Sequence, residues 1–325
     1  MEESSLLPPV VLVHRPPALD FIDEHLSRHS FTALYTHTSL EDSLQDFLSS
    51  HAASVRAVVS LGRLPIPAEF ISNLPSLEIV VCASVGFDHV DLDECRRRGV
   101  VITNAGDAYG EDVADLAVGL LISVIRRIAA VDRYVRSGQW TRLWDYPLGF
   151  KLNRKKVGIV GLGSIGSLVA KRLEPFGCII SYNSRNPKPD VPYAYYSNIL
   201  SLAADNDFLI LCCSLTDETH HIVNREVMET LGKNGVIINI GRGGLIDEKE
   251  MVKCLVNGVI WGVGLDVFEN EPEVPEELFG LENVVLSPHA AGMTAESLNN
   301  ISEVAIANLK AFFADQPLMF TVQLD

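Results

Sequence analysis

Residues 157–166 read VGIVGLGSIG, an apolar β-branched run that closes on Gly161, Gly163 and Gly166 and continues into a helix-forming stretch from Ser164 to Phe176. A GxGxxG spacing alone carries little weight, because glycine-containing chains produce it by chance. A strand before it and a helix after it are the setting in which the spacing becomes a phosphate-binding turn. The first glycine permits the tight turn, the second lets a pyrophosphate approach the backbone, and the third lets helix and strand pack closely. The anion then sits on the helix N-terminus, with Leu162, Ser164 and Ile165 in the same turn. A purely structural tight turn is the competing reading, and the strand–turn–helix context argues against it.

The next strand, CIISYNS, ends in Ser184-Arg185-Asn186, about twenty residues past the glycines, where a site selective for NAD places an acidic residue. A carboxylate there would bind the ribose hydroxyls and repel a 2′-phosphate. A guanidinium and a hydroxyl instead hold that phosphate through charge-assisted bonds, so NADP is expected over NAD. The alternative is that Arg185 is a solvated loop residue.

A chain of 325 residues with 47% hydrophobic content suits two ordinary domains. Its net charge of −16 argues against nucleic acid or an anionic membrane as a partner. Cys82, Cys95, Cys178, Cys212, Cys213 and Cys254 lie mostly in apolar patterns and form no CxxC pair. They read as reduced, buried small hydrophobes, with no metal site expected. The start, MEESSLLPPV, has the composition of neither a secretory signal nor a transit peptide, and Val322 to Asp325 is no peroxisomal address. A cytoplasmic location is the expectation.

Two strand series follow one another. VVLVH (10–14), VRAVVSLG (55–62), LEIVVCAS (77–84) and VVITN (100–104) form the first; VGIVGLG, CIISYNS, FLILCCS, VIINIGRG, WGVGLDVF and NVVLSPH form the second. Near-continuous apolar runs predict parallel strands buried on both faces. Between the series lies an apolar helix predicted over Glu111 to Ile128, and a last helix over Thr294 to Phe313. The expected fold is α/β, with two doubly wound parallel-sheet domains and a ligand cleft between them. Residues 1–105 with 293–325 make the substrate domain, and 106–292 make the dinucleotide-binding domain.

In open α/β sheets ligands bind beyond the carboxyl ends of the strands. Three groups stand there: Arg242 between glycines after VIINI, the acidic stretch from Glu269 after WGVGLDVF, and His289 after NVVLSP. Arg242 can offer its fork to a carboxylate, a surface ion pair being the bland alternative. His289 has small neighbours that leave room for a substrate. A paired carboxylate would raise its pKa and fix its tautomer. Glu271 is the candidate, but Glu269, Glu273, Glu276 and Glu277 lie close by, and spacing alone does not choose among them. In the first series, the turn Ala83-Ser84-Val85-Gly86-Phe87-Asp88 offers backbone N–H groups as an anion nest, or is an ordinary strand–helix connection.

Taken together, SVGFDHVDL, VGIVGLGSIG, NIGRGGLID, GLDVFENEP and LSPHAAG resemble the D-isomer-specific 2-hydroxyacid dehydrogenase family over essentially the whole chain and in the family's order. Within the family the chain looks most like the plant hydroxyphenylpyruvate and glyoxylate/hydroxypyruvate reductases, above all the third hydroxypyruvate reductase type. The resemblance implies a Rossmann-type cofactor domain beside a flavodoxin-like substrate domain. It implies that Arg242 binds the substrate carboxylate and keto oxygen, that Glu271 supports the histidine, and that His289 is the proton donor. It also implies cofactor contacts at Leu162, Gly163, Ser164, Ile165, Ser184, Arg185, Asn186, Ile240 and Asp266. Ser84, Val85 and Gly86 would hold the substrate carboxylate, and the cofactor domains would form a homodimer. Ala290-Ala291-Gly292-Met293 departs from the side chains many relatives place after the histidine, which leaves the substrate range between glyoxylate and an aryl pyruvate open.

The expected function is NADPH-dependent reduction of hydroxypyruvate, glyoxylate and, further along the range, 4-hydroxyphenylpyruvate to D-2-hydroxyacids. The rival from another class is a dinucleotide-sensing corepressor-like binding protein on the same fold. Phosphoglycerate dehydrogenase would usually need a further regulatory domain for which this length leaves no room.

Overall fold

The computed structural model describes residues 8–36, 52–62, 64–141 and 146–324, so residues 1–7 of the N-terminal segment read for targeting lie outside it, as does Asp325. Its contacts divide the chain into two units, residues 1–109 with 293–325, and residues 110–292.

In the first unit, β1 (Val10–His14), β2 (Thr32–Tyr35), β3 (Val55–Ser60), β4 (Ile79–Cys82) and β5 (Val101–Thr103) pair in parallel in the order β2-β1-β3-β4-β5. That is the flavodoxin-like order. Successive side chains of a strand point to opposite faces, so a continuous apolar run feeds two cores. Leu12, Val58, Val80 and Ile102 pack with Phe70, Ile71 and Cys95 of the helices Ala68–Ser72 and Leu92–Arg98. Their neighbours Val11, Val13, Ala57, Val59 and Val81 pack with Leu26 and with Ala305, Ile306 and Leu309 of the last helix, Ala295–Phe313. The hydroxyl of Thr294 caps that helix, accepting from the Ser297 N–H at 3.1 Å.

In the second unit, β6 (Lys156–Val160), β7 (Ile179–Asn183), β8 (Ala194–Tyr196), β9 (Phe208–Leu211), β10 (Val236–Asn239), β11 (Gly262–Leu265) and β12 (Val284–Leu286) form one parallel sheet. The order β12-β11-β10-β9-β6-β7-β8 is the Rossmann order extended by one strand, and it reverses direction between β6 and β9. The Rossmann-type and flavodoxin-like sheets expected from the sequence are thus both present.

Two short edge strands and one helix break depart from the sequence reading. Thr32–Tyr35 and Ala194–Tyr196 are largely half-exposed at sheet edges and lack the apolar run that marks a central strand. The helix predicted over Glu111 to Ile128 instead spans Gly110–Ile125, and a second begins at Ile128. Arg127 breaks it with φ 55°, in the left-handed region. Tertiary partners hold Arg127 there: its guanidinium pairs with Glu282 at 2.7 Å and lies over the rings of Tyr146 and Trp261. At the other end, Glu111 and Asp115 both pair with Arg172 of the helix Ser164–Leu173, which ties the two helices together.

The last helix contributes directly to the first unit's core. Leu309, with no exposed surface, should cost about 2–5 kcal/mol when truncated in Leu309→Ala, as buried leucines do. Lys310→Ala beside it should leave the chemical denaturation midpoint nearly unchanged, and equal midpoints for both variants would contradict this packing.

Candidate active site

The phosphate-binding turn connects β6 to the helix Ser164–Leu173. Gly161 has φ 93°, and a Cβ there would lie 2.6 Å from the backbone N of Cys213 at the end of β9. Only glycine fits both constraints. Gly166 packs against the Gly161 carbonyl, which brings helix and strand together. A Cβ on Gly163 would meet nothing within 4 Å, and no side chain caps the helix that starts after it. An open, uncapped helix N-terminus of this kind fits a dinucleotide pyrophosphate. Ser164 is exposed and Ile165 half-buried, whereas Leu162 and Ile240 are buried at 1% and 7% exposure. Burial pushes the Cys213 thiol beside this turn up to about 11, so it stands as a neutral thiol.

At the end of β7, the Ser184 hydroxyl donates to the Asn186 carbonyl at 2.6 Å, and the Tyr195 hydroxyl donates to the Ser184 carbonyl at 3.3 Å. Arg185 and Asn186 are exposed. Glu218 is held below the usual carboxylate range, first by the Thr216 hydroxyl and to a lesser degree by the charge of Arg185.

Arg242 follows β10, and buried Asn239 shapes its turn. The Asn239 amide donates to the Arg242 carbonyl at 2.8 Å and accepts from the Gly241 N–H at 3.1 Å. The Arg242 guanidinium is half-buried and donates to the Gly241 carbonyl at 2.7 Å. A Cβ on Gly243 would overlap the Phe268 carbonyl and the Glu269 nitrogen. This glycine is therefore what lets the Arg242 turn pack against the loop after β11.

That loop separates the glutamates which sequence spacing could not. Glu271 accepts from the Phe268 N–H at 3.1 Å through Oε1, and its Oε2 lies 2.8 Å from Nδ1 of His289. Glu269 turns away, with Oε1 2.7 Å from Nε2 of His221 and its N–H donated to buried Glu248. Glu273, Glu276 and Glu277 are exposed. A carboxylate only accepts, so Nδ1 of His289 carries the proton toward Glu271, and Nε2 is the nitrogen left to meet a substrate.

Asp266 holds His289 in place. Its side chain, at 1% exposure, accepts from the Ser287 hydroxyl at 2.5 Å and from the N–H groups of Ala290 at 2.8 Å and Ala291 at 3.1 Å. Its carbonyl accepts from the His289 N–H at 2.8 Å. The sequence reading placed Asp266 among the cofactor contacts, and the structure turns its carboxylate into the histidine loop. Ser287, Asn239 and Cys213 were not anticipated, although Ser287 and Asn239 both lie at strand ends.

In the first unit, the Ser84 hydroxyl donates to the Gly86 carbonyl at 2.6 Å, and the Asn104 amide to the Val85 carbonyl at 3.0 Å. The Val85 N–H is donated to the Tyr109 hydroxyl at 2.8 Å. The nest expected from Ser84, Val85 and Gly86 is narrowed accordingly, since Val85 already uses its donor, and an anion at this turn would have to be met by Ser84 and Gly86. Tyr109, whose hydroxyl holds this turn, is a contact that the sequence did not signal.

The family profile described as the NAD binding domain of D-isomer specific 2-hydroxyacid dehydrogenase matches residues 118–291. The chain belongs to the D-isomer specific 2-hydroxyacid dehydrogenase family. It is 68% identical over its whole length to a glyoxylate/hydroxypyruvate reductase of Arabidopsis thaliana, all of which is covered. It is 51% identical over 86% of its length to a hydroxyphenylpyruvate reductase of Plectranthus scutellarioides, of which 88% is covered. Among solved structures, the NADPH-dependent glyoxylate/hydroxypyruvate reductase of Sinorhizobium meliloti in complex with NADP and malonate superposes with a TM-score of 0.88. That match has 34% identity and covers 98% of each chain. As a member of the family the chain is an oxidoreductase that interconverts 2-oxoacids and D-2-hydroxyacids with a nicotinamide dinucleotide. Among the described residues no helix is long and apolar enough to cross a membrane.

Two roles for Asp266 give different outcomes in Asp266→Asn. If the carboxylate holds the His289 loop, losing one acceptor for buried N–H donors should cost about 1–3 kcal/mol of stability and lower kcat, with dinucleotide affinity little changed. If it contacts the cofactor, dinucleotide Kd should rise while stability holds. Fluorescence titration of the dinucleotide and denaturant unfolding together separate the two.

Proposed function

We propose that this dehydrogenase reduces, with NADPH, glyoxylate to glycolate, and hydroxypyruvate and 4-hydroxyphenylpyruvate to the corresponding D-2-hydroxyacids. The observation that carries the chemistry is the 2.8 Å pair between Glu271 and Nδ1 of His289 on a loop fixed by Asp266. The likeness to plant glyoxylate/hydroxypyruvate and hydroxyphenylpyruvate reductases supports the substrate range.

When bound, NADPH supplies the hydride for the keto carbon. The turn from Gly161 to Gly166 would hold its pyrophosphate, and Ser184, Arg185 and Asn186 its 2′-phosphate. Arg242 grips the substrate carboxylate and steadies the charge that grows on the keto oxygen. His289 delivers the proton from Nε2 to that oxygen while Glu271 keeps the ring in one tautomer and stabilises the imidazolium. In hydroxyacid oxidation the same Nε2 takes the proton back. Ser84 and Gly86 offer backbone N–H groups for the substrate carboxylate.

The reading extends to a homodimer formed through the cofactor unit, where Ile128, Val135, Trp140 and Leu148 leave large apolar side chains 46–88% exposed. It also places the enzyme in the cytoplasm, a reducing setting that suits six free cysteines.

His289→Ala should lower kcat for reduction by about 10² to 10⁴, the usual worth of a positioned acid. Arg242→Ala should raise KM and lower kcat together with NADPH affinity nearly unchanged. Normal turnover of glyoxylate and hydroxypyruvate by either variant would rule out its assigned role.

Cofactor choice is tested separately. One or two phosphate contacts predict a preference for NADPH over NADH of about 10- to 100-fold in kcat/KM, at roughly 1.4 kcal/mol per decade. Arg185→Asp should abolish or reverse it. Equal kcat/KM for both cofactors in the unsubstituted enzyme would show that Ser184 and Arg185 do not read the phosphate.

A further inference from the structure

The geometry points to a transition-metal site formed by His220, His221 and Glu269, built from none of the side chains assigned to catalysis. One ligand atom from each of the three lies within 4.8 Å of the others. The two imidazoles are stacked, with ring centroids 3.9 Å apart and planes 26° apart. Nε2 of His221 already lies 2.7 Å from Oε1 of Glu269.

The backbone beneath these groups is fixed independently of them. The His220 N–H donates to the Thr216 carbonyl at 2.8 Å, and the His221 N–H donates to the Gly244 carbonyl at 2.8 Å. His221 sits at φ 51°, in the left-handed region, so this turn is held rather than adopted freely. On the opposite side, the Glu269 N–H donates at 3.2 Å to Glu248, whose carboxyl is buried and shifted up by that burial. His220 is exposed while His221 and Glu269 are half-buried, so an ion can reach the group from solvent.

The donor set selects the ion. Two imidazoles and one carboxylate match a Zn²⁺ site with three protein ligands and an open position, whereas Ca²⁺ and Mg²⁺ call for oxygen ligands. Ligand atoms around a tetrahedral zinc lie about 3.3 Å apart, from bond lengths of about 2.0–2.1 Å. Side-chain rotations of an ångström or so therefore close the present spacing. The ion would take the place of the hydrogen bond between His221 and Glu269. It would also join the turn that contacts Gly244, two residues after Arg242, to the loop that carries Glu271.

Full-length, metal-stripped protein titrated calorimetrically with zinc chloride tests the site without reference to catalysis, so its result is distinguishable from that of the reductase reading. One Zn²⁺ per chain is expected, with affinity falling at least about tenfold in His220→Ala and in Glu269→Gln, both checked for native circular dichroism. Zinc should raise the Tm of the unsubstituted protein and not that of His220→Ala. Co²⁺ in its place should give visible absorption bands that both substitutions remove. No zinc binding by the unsubstituted protein, or binding equally tight in the two variants, would overturn the site and leave His221 and Glu269 as a structural ion pair.

Discussion

A carboxylate taken out of water has to be met by donors, or its burial costs several kcal/mol. Asp266 is nearly inaccessible and is met by the Ser287 hydroxyl and the N–H groups of Ala290 and Ala291, while its own carbonyl takes the His289 N–H. Those bonds hold His289 at φ 53°, a region that a non-glycine residue enters at a cost of order 1–3 kcal/mol. The imidazole reaches Glu271 from that conformation. Asp266 follows directly on β11, whose Leu265 pairs with Leu286 of β12, so strand register places the carboxylate opposite the loop it anchors. A slip of one residue would turn Asp266 to the other face and release the histidine.

The rest of the proposed catalytic group follows from strand order. Arg242, Glu271 and His289 come after β10, β11 and β12, which are neighbours in the sheet and all parallel, so their carboxyl ends lie along one edge. Gly243 lets the first of these turns pack on the backbone of the second, and Asn239 closes the first turn on itself. The phosphate-binding turn lies at the same edge, at the reversal between β6 and β9. Ligand sites at that edge are a property of the architecture, and the side chains decide the chemistry.

Much of this was legible because buried parallel strands are near-continuous apolar runs, and the glycine spacing stands between a strand and a helix, the setting that makes it a phosphate turn. Thr32–Tyr35 and Ala194–Tyr196 escaped because these two half-exposed edge strands lack that run. The break at Arg127 escaped because its cause is tertiary: Glu282 and Trp261 are far away in sequence. Glu269 and Glu271 are equivalent in a string of letters, and only the loop's path sends one to His221 and the other to His289. The engagement of the Val85 N–H by Tyr109 was invisible for the same reason. Sequence located the places where chemistry sits, and folding decided which atoms were already spent there.

The account stands or falls on whether this site makes D-2-hydroxyacids with His289 as the acid. Chiral analysis of the glycerate formed from hydroxypyruvate and NADPH, for the unsubstituted enzyme and for His289→Ala at equal concentrations, tests that most directly. The account predicts D-glycerate as the sole product and its near-disappearance in the variant. L-glycerate, a racemic product, or unchanged D-glycerate formation without the imidazole would contradict it.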